Sequence, residues 1–101
     1  ELAVITPDTP EYRILKEQNR DDIDWIKRKP LILREEGSGT RKEAEKQLKS
    51  AGISMETLDI VASIANQETI KKSVKQGMGI TVLSRLAAED EDGLLIFDSG
   101  R

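Results

Sequence analysis

Apolar residues gather in five short runs along this chain: Leu2 to Thr6, Leu31 to Leu33, Leu58 to Ile64, Ile80 to Leu83 and Leu94 to Phe97. Each is rich in Val, Ile or Leu and nearly continuous rather than alternating with polar residues. That pattern suits strands covered on both faces, which usually pair parallel through crossover helices. Asp21 and Asp22 stand where they cap a short helix carrying Ile23, Trp25 and Ile26, and Pro30 stops it by biasing Lys29 toward extended backbone. Ala44, Leu48 and Ala51 recur at i, i+4 and i+7, which predicts a helix over Arg41 to Ala51 ended by Gly52. Asn66 opens another through Gln76, with Ile70 and Val74 toward the sheet and Gly77 closing it before a strand that begins at Gly79. A short helix, Ser84 to Ala88, gives way to the acidic turn Glu89 to Gly93. The segment Thr6 to Asp21, with two prolines and mixed charges, reads as a loop with at most a helical turn around Tyr12 to Lys16. Strand and helix otherwise alternate throughout, and the pattern predicts a three-layer α/β/α sandwich forming a single domain over residues 1–101.

Composition narrows the function classes. With a net charge of -3 there is no broad basic field of the kind that neutralises phosphates, so direct DNA binding is not expected. Tyr12, Trp25 and Phe97 are the only aromatics and are widely spaced, which leaves no platform for stacking unpaired bases. The chain has no cysteine and no histidine, which removes disulfides, thiolate nucleophiles, Cys/His zinc sites and imidazole acid–base catalysis. No catalytic residue, cofactor or metal is expected. The longest mostly apolar stretch, Ile60 to Ala65, is far short of the roughly 20 residues that cross a bilayer, so the expectation is a soluble chain with no membrane partner.

The most informative stretch is Leu31-Ile-Leu-Arg-Glu-Glu-Gly-Ser-Gly-Thr-Arg41, a buried strand ending in a glycine-rich turn that opens a helix. Such a turn exposes unpaired N–H groups at the positive end of a helix dipole, and Gly37 and Gly39 allow a ligand close to the backbone. In open α/β sheets ligands bind at the carboxyl ends of the strands, where this turn belongs. An anion or carboxylate is the chemistry it would hold. Ser38 and Thr40 add hydroxyls that serve either a ligand or the helix cap, and Thr40 with Glu43 fits a capping box. Arg41 has two readings of equal weight: a bidentate partner for a ligand carboxylate, or a neutraliser of Glu35 and Glu36. The spacing is not that of a Walker loop, and no S-x-x-K nucleophile is present.

A second candidate lies at Ser63 to Thr69, where a strand passes into the helix begun by Asn66. Ser63, Asn66, Gln67 and Glu68 could face the same cleft as the glycine-rich turn, with plain capping by Asn66 as the simpler alternative. Lys71, Lys72 and Lys75 read as a solvated helix face.

Together, Pro30-Leu-Ile-Leu-Arg-Glu-Glu-Gly-Ser-Gly-Thr-Arg41 and Ala65-Asn-Gln-Glu-Thr-Ile-Lys-Lys-Ser-Val-Lys-Gln-Gly-Met-Gly-Ile-Thr-Val-Leu-Ser84 resemble the effector-binding domain of LysR-type transcriptional regulators, over nearly the whole chain. The resemblance implies one lobe of a type 2 periplasmic-binding-protein fold, the second, with the first lobe and the helix-turn-helix absent. It implies a five-stranded, mostly parallel mixed sheet in the order 58–62, 31–34, 79–83, 2–6, 94–97, with 2–6 antiparallel. It also implies a cytoplasmic regulator, not an enzyme, that contacts a small-molecule effector through Gly37 to Arg41 and, secondarily, Ser63, Asn66 and Gln67. DNA would be reached only through the absent part, and the parent would be a homo-oligomer, with the helix at 67–76 and the strand at 79–83 as a candidate contact face. Asp8-Thr-Pro10 departs from the His-Pro often found after the first strand of this lobe. The competing reading is a lobe of an extracytoplasmic anion receptor of an ABC transporter, for phosphate, sulfate or molybdate. A third is a small hydrolase or transferase with Glu35 or Glu36 as base.

Overall fold

A computed structural model describes residues 2–18 and 22–98. Its strands are β1 (Leu2–Pro7), β2 (Pro30–Arg34), β3 (Asp59–Ile64), β4 (Ile80–Ser84) and β5 (Leu94–Asp98). The helices are α1 (Pro10–Gln18), α2 (Gly39–Ser50), α3 (Gln67–Lys75) and α4 (Arg85–Ala88), with 3₁₀ turns at Asp24–Arg28 and Met55–Thr57. One sheet runs β3-β2-β4-β1-β5. The β2–β3 and β2–β4 pairs are parallel, whereas β1 is antiparallel to both β4 and β5. The expected strands, their order and the reversed direction of β1 are all found.

The near-continuous burial of β1 and β4 follows from their inner places in a sheet covered on both sides. On one face Val4, Leu31, Leu33, Ile80 and Val82 pack with Trp25, Ile26, Ala44 and Leu48. On the other, Ala3, Ile5, Ile32 and Leu83 pack with Ile70, Val74 and Ala88. Gly79 allows β4 to begin beside β2, since a Cβ there would stand 2.9 Å from the Pro30 carbonyl oxygen.

Two expectations are corrected. The segment Thr6 to Asp21 contains a helix, α1, and is not a loop; Asp21 itself lies outside the described residues. Pro10 occupies the first helical position, where a missing N–H costs nothing, and the Arg13 N–H donates to the Thr9 carbonyl at 2.9 Å. Tyr12 then packs against Trp25 with ring centroids 6.1 Å apart, and Leu15 joins the same core, so tertiary burial supports a helix whose local signal is thin. The contact face proposed for the helix at 67–76 with the strand at 79–83 is not available as such, because β4 is an inner strand buried from Ile80 to Leu83.

Candidate functional site

β2 delivers the glycine-rich turn to the carboxyl end of the parallel strands. Beyond Arg34 the chain reverses through Gly37, at φ 94°, and the Ser38 N–H closes the turn on the Glu35 carbonyl at 3.2 Å. Ser38 is the N-cap of α2: its Oγ accepts from the Arg41 N–H at 2.9 Å and its carbonyl accepts from the Lys42 N–H at 3.1 Å. The cap therefore lies two residues before Thr40, and the capping box expected from Thr40 and Glu43 is not formed. Thr40 is already inside the helix, and the residue three beyond the true cap is Arg41, not a glutamate. With the Ser38 and Arg41 amides engaged, the N–H groups of Gly39 and Thr40 are the first-turn donors with no partner among the described residues.

The second loop repeats this arrangement. Asn66 caps α3, its Oδ1 accepting from the Thr69 N–H at 3.0 Å and its carbonyl from the Ile70 N–H at 3.1 Å, which leaves the Gln67 and Glu68 amides without partners among the described residues. β2 and β3 are parallel neighbours, with Arg34 opposite Ile64. Both helices thus begin at one edge of the sheet, α2 on one face and α3 on the other.

Arg41 ties the two loops together. Its side chain is buried; Nε donates to Glu45 at 2.9 Å, and Nη1 donates to the Arg34 carbonyl at 2.9 Å and to Ser63 Oγ at 3.2 Å. Of the two readings of Arg41, the geometry supplies a variant of the structural one. Glu35 pairs instead with Arg34 at 3.0 Å, Glu36 is 3.9 Å from Arg41, and the close carboxylate is Glu45. The Arg41–Glu45 spacing of i, i+4 was a legible signal for that pair.

A bulge brings Ser63 into reach. The pairing steps from Leu31↔Ile60 to Ile32↔Ala62, so Val61 is an extra residue in β3 and the facing pattern inverts after it. Ile60 packs on the α2 side, Ala62 and Ile64 pack on the α3 side, and Ser63 turns toward Arg41.

The Arg34 guanidinium, helped by a backbone hydrogen bond, holds the Glu35 carboxyl below its usual range, the opposite of what a general base working near neutral pH requires. Among the described residues no cluster of carboxylates has metal-binding geometry. The lysine face of α3 also differs from expectation. Lys71 is buried, donates to the Ala87 carbonyl at 3.0 Å and pairs with Glu68 and Glu91, so it fastens α3 to the end of α4.

Residues 1–98 match the family described as LysR substrate binding domain. The chain belongs to this family. It is 32% identical over 96 residues to the uncharacterized HTH-type transcriptional regulator MJ0300 of Methanocaldococcus jannaschii, over 94% of this chain and 31% of that protein. To the HTH-type transcriptional regulator CbbR of Xanthobacter flavus it is 36% identical over 87 residues, over 84% of this chain and 26% of that protein. The regulatory domain of Synechocystis CcmR, solved in complex with 2-PG, superposes with a TM-score of 0.73 at 28% identity, over 96% of this chain and 45% of that one. The LysR-family chain thus spans about a third of the length of MJ0300 and less than half of the CcmR regulatory domain. Its fold is that of these type 2 periplasmic-binding-protein-like regulatory domains. No helix among the described residues is long and apolar enough to cross a membrane.

Proposed function

We propose that this chain is the second lobe of the effector-sensing domain of a cytoplasmic LysR-type transcriptional regulator, and that it acts without catalysis by binding a small anion or carboxylate between lobes. The observation that carries this reading is the pair of capped helix starts at one sheet edge, each presenting two unpaired amides at the positive end of a helix. Gly39 and Thr40, with the Thr40 hydroxyl, are the primary contacts, supported by Gln67 and Asn66. Gly37, Ser38, Arg41 and Ser63 shape the crevice, because their polar groups or backbone turn already hold the loops together. Effector binding shifts lobe closure by as much as its affinity differs between the open and closed states, and a homo-oligomeric parent relays that change to a separate DNA-binding part. Family membership, and the regulators and the effector-bound regulatory domain to which the chain is similar, favour this reading over an extracytoplasmic anion receptor.

The test is a thermal-shift screen of small anions and carboxylates on the intact two-lobe domain, followed by titration of a hit against Thr40→Val. Loss of a hydrogen bond to a charged ligand is expected to weaken binding by about tenfold or more. Equal stabilisation of both proteins by the hit would remove the Thr40 hydroxyl from the site.

A further inference from the structure

The two arginines that flank the glycine-rich turn differ in what they leave free. Arg41 is buried, and its fork is engaged by Glu45, the Arg34 carbonyl and Ser63. Arg34 donates from Nε to Glu35 at 3.0 Å, and its two Nη groups have no partner among the described residues. The sheet decides where those groups point. Arg34 is the last residue of β2 and lies opposite Ile64 of β3. Leu33 packs on the α2 side and Ile32 on the α3 side, so strand alternation turns the Arg34 side chain toward the α3 face. On that face α3 begins just after Ile64, with the unpaired amides of Gln67 and Glu68 in its first turn. The main chain of Arg34 meanwhile runs straight into the turn that carries the Gly39 and Thr40 amides.

The partner that Arg34 does have is loosely held. The pair is made through Nε alone, not through the fork, and its side chains are 21% and 43% exposed, so the contact is weak and open to exchange with another oxyanion. The hydrogen bond from Arg34 also keeps the Glu35 carboxyl ionised at neutral pH. We propose that Glu35 is an internal stand-in for the effector, and that Arg34 is the residue that selects it. An effector oxyanion takes the Nη fork with two of its oxygens, and the Glu35 carboxylate is displaced into solvent. This rests on the effector-site reading above and narrows the ligand class from any small anion to one that presents two oxygens side by side, as carboxylates, phosphates and sulfate do. Amides at a helix start favour negative charge of any shape, whereas a planar fork favours paired oxygens, so this selectivity falls to Arg34.

The experiment is a sulfate titration of the intact two-lobe domain, with ionic strength held constant by chloride and the Gly39, Thr40, Gln67 and Glu68 amide signals followed by NMR. Arg34→Gln should weaken sulfate binding by about tenfold or more, the effect of losing hydrogen bonds between charged groups. Glu35→Gln should act in the opposite direction and tighten binding by about two- to fivefold, because the internal competitor loses its charge. In the Arg34→Gln background the Glu35 change should bring no gain. A pair that only braces the turn gives another pattern, in which both single changes disturb the loop and weaken binding together. That pattern, or a gain from Glu35→Gln that persists without Arg34, overturns the proposal. Unchanged sulfate affinity in Arg34→Gln overturns it while leaving the effector site in place, and amide signals that sulfate never moves overturn the site and the proposal together.

Discussion

Tyr12 reports on α1 with unusual clarity because it is the sole tyrosine. Its ring is buried against Trp25, and desolvation pushes the phenol up to about 12, with the Glu11 charge adding to the effect. A raised pKa favours the protonated form in the folded state. The associated stability is therefore complete below the unfolded value near 10 and is lost as pH rises from there toward about 12. Phenolate absorbance should accordingly rise near pH 12 in the folded chain and near pH 10 in denaturant. A folded-state midpoint at the unfolded value would show that α1 does not bury its tyrosine. Nothing in the order of residues around Tyr12 announces this. Two prolines and mixed charges leave the segment reading as a loop, and Tyr12 and Leu15 gain their value only from Trp25 and Phe97, which arrive from other elements.

At the scale of elements, the Arg41 guanidinium is the joint between the β2–α2 turn and β3. Its planar fork reaches Glu45, the Arg34 carbonyl and Ser63 at once, and a lysine ammonium on a flexible stem cannot reproduce that geometry. Arg41→Lys should therefore destabilise the chain by about 1–3 kcal/mol in urea unfolding. In that background Ser63→Ala should cost almost nothing further, giving a coupling that a double-mutant cycle detects. Strict additivity of the two changes would mean that the loops are not joined through this side chain. The strand-to-helix transitions at both loops were legible from Gly-Ser-Gly-Thr and from Asn66, and the caps lie at Ser38 and Asn66. Which face Ser63 occupies was not legible, because one extra residue in a parallel pair inverts the alternation and leaves no compositional mark.

For the whole molecule, the two cores share one sheet, so they should melt as one unit. Leu48→Ala on the α2 face and Val74→Ala on the α3 face each remove a fully buried side chain, at a cost of roughly 2–5 kcal/mol for the leucine and less for the valine. Separated by the sheet, the two losses should add in a double variant that still unfolds in one transition by calorimetry. Two separate transitions would show that the layers fold independently.

What the sequence determined by itself is the set of elements other than α1, their alternation and the layered architecture. Each of these follows from the spacing of apolar residues and from caps, turns and glycines that act within a few positions of themselves. Tertiary structure alone decided that α1 is a helix, that Ser63 faces Arg41, that Arg41 also reaches the Arg34 carbonyl, and that Lys71 is buried against the end of α4. Burial, strand register and the choice among competing partners are set by residues that are distant in the chain and meet only when the sheet has formed.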